Sequence, residues 1–220
     1  MHFWSSIAAA LALAVIVSAQ AARPSAPTMV LPMVGVPLSV ESVTETVAKD
    51  SPKEISTTKY YRDAAGRIRI ERELPQAFGD PLLMIQIDDP IDGFMAILEI
   101  EAKIARRVKR PKGVFGGGFF DASLGAVPGK KTVKNEDLGK QTIDEIEFQG
   151  SRMTVTADEQ PSLVAFDEYW MSQELGLWGS FKHSGPDGER SATIRHVERK
   201  APDPKLFVIP DDYRIRDMTP

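Results

Sequence analysis

Among the residues able to do chemistry, Asp88–Glu99 (DDPIDGFMAILE) has the most suggestive spacing. Asp88, Asp92, Gly93 and Glu99 fall at the first, fifth, sixth and twelfth positions of an EF-hand calcium loop. Position three is Pro90, which carries no side-chain oxygen, and the flanks have strand rather than helix composition. Asp, Pro and Gly each favour turns, so the stretch reads as a hairpin turn and not as a metal site. The triple glycine in GVFGGGFF lacks the Lys-Ser/Thr of a phosphate loop and its strand-to-helix setting. It reads instead as a loop carrying Phe115, Phe119 and Phe120. Outside the N-terminal segment the histidines are His183 and His196, both in strand-like stretches, and the chain has no cysteine. No G-x-S-x-G elbow or H-E-x-x-H pair is present. The acidic doublets Asp88-Asp89, Asp158-Glu159, Asp167-Glu168 and Asp211-Asp212 mostly flank turns. Carboxylates of a glycosidase pair meet in space rather than in sequence, so a hydrolase assembled from separate carboxylates stands as a remote alternative. The expectation is a non-catalytic protein with no cofactor and no metal.

One charge cluster is notable. Lys103, Arg106, Arg107, Lys109, Arg110, Lys112, Lys130, Lys131 and Lys134 are opposed in their window only by Asp121. Such a run could contact an anionic surface, worth about 1 kcal/mol per basic residue near charged headgroups. The plainer reading is a set of solvated strand ends. The whole chain carries a net charge of −4, a poor balance for gripping nucleic acid.

The elements that must position these groups begin with residues 1–21. No charged side chain occurs from Phe3 to Ala22, Ile7–Val17 is a compact apolar run, and Ala19-Gln20-Ala21 supplies an A-x-A cleavage pattern. That layout predicts a signal peptide cleaved after Ala21, an exported (periplasmic or extracellular) protein, and no transmembrane segment in the mature form. The alternative is an uncleaved anchor, since the stretch approaches the ~20 residues that cross a bilayer. Residues 22–38 hold four prolines and read as an extended arm.

Residues 39–217 then read as one β-rich domain. Strands are expected at Ser39–Ala48, Ile55–Arg62, Arg67–Leu74, Leu82–Ile87, Phe94–Ile100 and Ile104–Val108, and again at Thr142–Phe148, Arg152–Ala157, Leu163–Met171, Leu177–Ser184 and Arg190–Lys200. Their even spacing and intervening turn residues predict an antiparallel meander. Gln149-Gly150 and Gly185–Gly188 are expected as tight turns, and Ser172–Leu175 and Pro202–Phe207 as short helical turns. Leu82–Ile87 and Phe94–Leu98 are apolar on both faces, which predicts cover on both sides. Arg67–Arg72 alternates, with Ile68 and Ile70 inward and Arg67, Arg69 and Glu71 on a wet face. Lys109–Asn135 has no period, and a loop over about 109–137 is expected.

The closing stretch carries a resemblance. Tyr169-Trp170, the turn Glu174-Leu175-Gly176, the hairpin Asp187-Gly188 and the ending Pro202-Asp203-Pro204-x-Leu206-Phe207-x-x-Pro210 resemble the last hairpins of exported β-rich proteins with the lipoprotein-carrier-like fold. That superfamily includes lipoprotein-sorting carriers and periplasmic regulatory domains. YRDAAGRIRIE and Leu138-Gly139-x-Gln141-Thr142-Ile143 resemble uncharacterised secreted bacterial proteins with this ending. The resemblance implies a mainly β fold, a strongly curved antiparallel sheet forming an incomplete barrel with few short helical turns. It further implies a concave apolar face able to hold an acyl chain, with a lipid or lipidated protein as partner. The aromatic residues available to line it are Phe115, Phe119, Phe120, Trp170, Trp178 and Phe181. The competing expectation is an envelope interaction or sensor module, docked to another envelope protein, whose barrel is filled by its own side chains.

Overall fold

The computed structural model describes residues 29–49, 51–74, 80–113 and 126–218. The expected signal segment, Phe115, Phe119, Phe120 and Asp121 lie outside the described residues.

Period-two alternation builds the first half. β1 (Leu38–Ala48), β2 (Glu54–Arg62), β3 (Ile68–Leu74), β4 (Leu82–Asp89), β5 (Phe94–Glu99) and β6 (Ile104–Lys109) form an antiparallel meander. The second half is β7 (Lys131–Ile143), β8 (Ile146–Ala157), β9 (Val164–Ser172), β10 (Leu177–Gly185) and β11 (Gly188–Glu198). β11 returns to pair with β1, so the two meanders join into one sheet. After a 3₁₀ turn at Pro204–Phe207, β12 (Arg214–Met218) lies parallel to β6, giving the order β12-β6-β5-β4-β3-β2-β1-β11-β10-β9-β8-β7. The sheet is strongly curved and does not close into a barrel, as the resemblance implies.

Register defines its inner face. Val40, Tyr60 and Ile70 lie side by side across β1–β3, and Thr44 leads through Ala192 and Phe181 to Tyr169 across β11–β9. Tyr60, Ile70, Ala192 and Phe181 are all within 5% of full burial. These side chains, together with Met29, Val30, Leu38, Phe148 and Leu177, make one core cluster. Burial of this kind is worth roughly 1.5–3 kcal/mol per large apolar side chain.

On β4–β6 it is the outer face that is closed. Ile85, Ile87, Leu98 and Ala105 form a second cluster, with Ile209 and Tyr213 of the C-terminal segment packed on it. The C-terminal segment thus covers this face, and β12 fixes its end to the sheet.

Arg62 ties the N-terminal segment down. It is fully buried, and its guanidinium donates to the carbonyls of Val36 (2.7 Å), Leu31 (2.5 Å) and Leu175 (2.6 Å). Burial lowers its pKa to about 10, so it stays protonated at neutral pH with carbonyl dipoles as its partners. Residues 31–36 and the β9–β10 turn are thereby held to the end of β2.

Several expectations need correction. Lys131–Asn135 is strand, not loop: β7 is an edge strand exposed along most of its length and broken by a bulge at Asp137/Gly139, so it shows no alternation. The expected strand Thr142–Phe148 spans a hairpin turn instead. Asp144 (φ 49°) and Glu145 (φ 62°) both adopt left-handed conformations, a type I′ geometry here made without glycine. Gln149-Gly150 is not a turn, because Gly150 sits inside β8 beneath the ring of Trp170. Ser172–Leu175 closes a hairpin rather than forming a helix. The wet face of β3 is partly covered, since Arg69 donates to the Leu206 carbonyl (3.1 Å) and to Glu71 (2.7 Å). Leu82 and Leu83 are exposed, so β4 is not covered on both sides at its start.

Candidate functional site

The inner face continues onto β4–β6 through the pairings Ile70–Gln86–Ile97 and Ile68–Asp88–Met95–Val108. Here Met84, Met95, Ile97 and Val108 are only half-buried, whereas the same face of β1–β3 is closed. These four side chains make an apolar strip across the three strands, interleaved in register with Gln86, Asp88 and Arg106. It is bounded on one side by Arg72, whose Nε donates to Thr58 Oγ1 (3.3 Å).

Two of the polar groups lie on β4 within this strip. Gln86 Nε2 donates to Asp88 Oδ2 (2.7 Å), while Asp88 Oδ1 is buried without a hydrogen bond and lies 3.6 Å from Arg110. Burial pushes the Asp88 carboxyl above the usual carboxylate range, against the opposing pull of Gln86 and Arg110. The β4–β5 turn is organised by Asp89, whose Oδ1 accepts from the amides of Ile91 (2.9 Å) and Asp92 (3.0 Å). Within DDPIDG, then, this carboxylate caps the turn, as turn chemistry predicts for the stretch.

A second polar group lies on the inner face of β9–β11. His183 Nδ1 is 2.7 Å from Asp167 and its Nε2 is 3.0 Å from the Asp187 carboxylate. Ionised carboxylates only accept, so two such bonds require both ring nitrogens to carry protons. Burial works against this imidazolium, but the hydrogen bonds to Asp167 and Asp187 outweigh it and the pKa is raised. Arg190 is the cross-strand neighbour of His183, and burial lowers its pKa against the attraction of both aspartates. The cluster links β9, β10 and the β10–β11 turn. Among the described residues no group of His, Cys, Asp or Glu could hold a metal ion.

Of the expected aromatic lining, three residues can be placed. Phe181 is buried and stacks on Tyr169 at 5.6 Å, and Tyr169 meets Trp178 at 5.7 Å. Trp170 packs flat on Gly150, where a Cβ would lie 2.7 Å from the indole, and its Nε1 donates to Glu168 (3.0 Å). Burial would raise the Glu168 pKa, but its bonds to Arg152 and Trp170 prevail and lower it. The half-open apolar residues of β4–β6 were missed in sequence. Their signal was present in the run Leu82–Ile87 and Phe94–Leu98, apolar on alternate as well as adjacent positions.

The expected basic cluster is divided. Lys103, Arg106, Arg107, Lys109, Arg110 and Lys112 lie on or beside β6, and Lys130, Lys131 and Lys134 at the start of β7, at the other end of the strand order. Several are paired within the chain: Lys103 with Asp212 (3.1 Å), Arg106 with Glu99, Arg107 with Asp217 (2.7 Å) and Lys134 with Glu136 (3.0 Å).

No protein-family model matches the chain, and no curated protein matches it in sequence. Among solved structures it is similar to a conserved protein from Thermus thermophilus, with a TM-score of 0.48, 9% identity, and coverage of 84% of this chain and 91% of that one. It is also similar to the MucA/MucB complex structure from Pseudomonas aeruginosa, at TM-score 0.43 and 12% identity, covering 82% of this chain but only 58% of that one. A LolA superfamily protein from Nitrosomonas europaea is similar at TM-score 0.34 and 8% identity, with 80% and 91% covered. At such scores these likenesses assign this chain neither a ligand nor a site.

Proposed function

We propose that this chain is a non-catalytic envelope protein that holds the apolar part of an amphipathic ligand, a lipid or a lipidated protein, on the inner face of β4–β6. One observation supports this above the rest. A single face of one sheet is closed by its own side chains across β1–β3 and β9–β11, yet stays half-open and apolar at Met84, Met95, Ile97 and Val108. Apolar surface kept accessible in a folded chain marks a binding site more often than a packing defect. The two methionines suit a flexible acyl chain, because their unbranched thioethers adapt to varied shapes. The uncharged Phe3–Ala22 stretch with its A-x-A end supports export, and with it an envelope location. Phe115, Phe119 and Phe120 remain part of this proposal as cover for the ligand, whereas Phe181, buried in the closed region, and Trp170, on the opposite face from Tyr169, are not part of it.

The test is native mass spectrometry and solvent extraction of protein purified from a bacterial periplasm. The proposal expects a bound lipid in substoichiometric to equimolar amount. If no lipid is recovered and fluorescent fatty-acid probes do not bind, it is wrong. The tight packing of Phe181, Tyr169 and Trp178 favours the second reading, an interaction module for another envelope protein. Recovery of a protein partner by crosslinking, from protein without lipid, would select it.

A further inference from the structure

Where β5 begins and β6 ends, the surface folds into a hollow of about 430 Å³ lined by Asp92, Gly93, Phe94, Arg107, Lys109, Arg110 and Lys112. We infer that this hollow is a binding site for a phosphate-class anion, either the headgroup of an anionic lipid or a soluble phosphate ester. It stands apart from the acyl-chain reading and does not depend on it.

The hollow is shaped by the backbone. Gly93 has φ +73°, its carbonyl accepts from Arg110 N (2.8 Å), and the Gly113 amide donates to the Pro90 carbonyl (2.9 Å). A Cβ at Gly93 would stand 2.7 Å from the Arg110 carbonyl oxygen and 3.1 Å from the Lys112 side chain. Only glycine allows the β4–β5 turn to approach the segment after β6 this closely, and that approach brings four cations around one concavity.

The charges within it are not all spoken for. Arg107 makes a bidentate pair with Asp217 (2.7 and 3.1 Å) and lies over the Phe94 ring (5.9 Å). Arg110 makes a long ion pair with Asp88 (3.6 Å to Oδ1) with no hydrogen bond between them. Among the described residues Lys109 and Lys112 have no ion-pair partner, and both are exposed. Lys109, Lys112 and the loosely paired Arg110 therefore converge, with Asp92 on the lining and Asp88 and Asp217 beside it as the opposing charges.

A carboxylate ligand satisfies one guanidinium, as Asp217 already does for Arg107. A phosphate group spreads its charge over three oxygens and matches several converging donors better. The volume lies within the range of small-molecule sites, enough for a phosphate and the glycerol or sugar that carries it. Lys130, Lys131 and Lys134 lie at the other end of the strand order and do not line the hollow, and so supply an internal control.

The test uses the full chain in two arms at low salt. One arm measures flotation with vesicles of phosphatidylcholine alone or mixed with phosphatidylglycerol. The other titrates glycerol phosphate and inorganic phosphate by calorimetry. Lys109→Ala and Lys112→Ala should each weaken binding about five-fold, from roughly 1 kcal/mol per basic residue. Asp92→Asn should tighten it by a similar factor, because it removes the opposing charge without disturbing an exposed position. Binding to phosphatidylglycerol vesicles alone supports the site with a lipid source. Binding of soluble phosphate that competes with vesicles supports it with a soluble source. The site is refuted if neither arm shows binding, or if Lys130→Ala and Lys134→Ala weaken binding as much as the hollow variants do. Ile97→Glu, which blocks the apolar strip, should leave phosphate affinity unchanged, so failure of the acyl-chain reading would be seen separately.

Discussion

Phe181 and Ile97 lie on the same face of the same sheet, yet their surroundings differ sharply. Phe181 is closed in by Tyr169 on β9 and by the cluster built from β1, β2, β3 and the N-terminal segment. Ile97 has only Gln86 and Arg106 beside it in register, and is half-buried. Behind it, the outer face of β4–β6 is the closed one, sealed by Ile209 and Tyr213. Stability and binding are thus separated within one sheet. The β9–β11 region is stabilised through its inner face, while the β4–β6 region is stabilised through its outer face and leaves the inner one available.

The largest expected effect falls on the clasp that keeps the closed region closed. Arg62→Met would leave the carbonyls of Leu31, Val36 and Leu175 without their buried donor. An unsatisfied buried acceptor costs about 1–3 kcal/mol, so urea denaturation should show a loss of at least about 3 kcal/mol. A change under about 1 kcal/mol, the low end of that range, would show that residues 31–36 are held by something else.

Next comes the direct contrast between the two regions. Phe181→Ala should cost about 3–5 kcal/mol of stability by opening a cavity, with the affinity of the folded fraction for a fatty-acid probe unchanged. Ile97→Glu should cost little stability, because its side chain is already partly in solvent, and should reduce probe affinity at least about ten-fold, since a bound acyl chain would have to strip water from the carboxylate. Reversed outcomes would move the binding surface into the β9–β11 region, onto Trp178 and Phe181.

A smaller, pH-dependent effect is expected at His183. Desolvation opposes its charged form, but the bonds to Asp167 and Asp187 prevail and raise its folded pKa above the ordinary 6.5. Its contribution to stability should therefore be complete below about pH 6.5 and fade as pH rises through the folded value. Thermal unfolding of the native chain from about pH 6 to 9 should show this decline, and His183→Gln should flatten it. Stability that increases across that window would contradict the imidazolium assignment.

The meander was legible because its strands alternate: Ile68 and Ile70 are inward with Arg69 and Glu71 outward, and residues such as Asp187-Gly188 mark the turns. β7 was not legible, because an edge strand wet on both sides has no period to read. The Asp144-Glu145 turn was hidden because residues that rarely take positive φ occupy it. β12 was missed because its pairing with β6 is parallel and spans the whole second half of the chain, so no local signal announces it. The basic cluster was legible as composition, but sequence could not show its division between two ends of the strand order. The apolar strip was visible as residues and invisible as a site, since only the register reveals that Met84, Met95, Ile97 and Val108 share the face left open.

The central claim is that an apolar ligand lies on the inner face of β4–β6, and photocrosslinking tests its location most directly. A fatty acid carrying a diazirine on its chain would be bound to the full protein, irradiated, and the labelled peptides mapped by mass spectrometry. Labels confined to residues 84–108, above all at Met84, Met95, Ile97 and Val108, are the predicted result. Labels concentrated at residues 166–181, or protein that takes up no label, would contradict it.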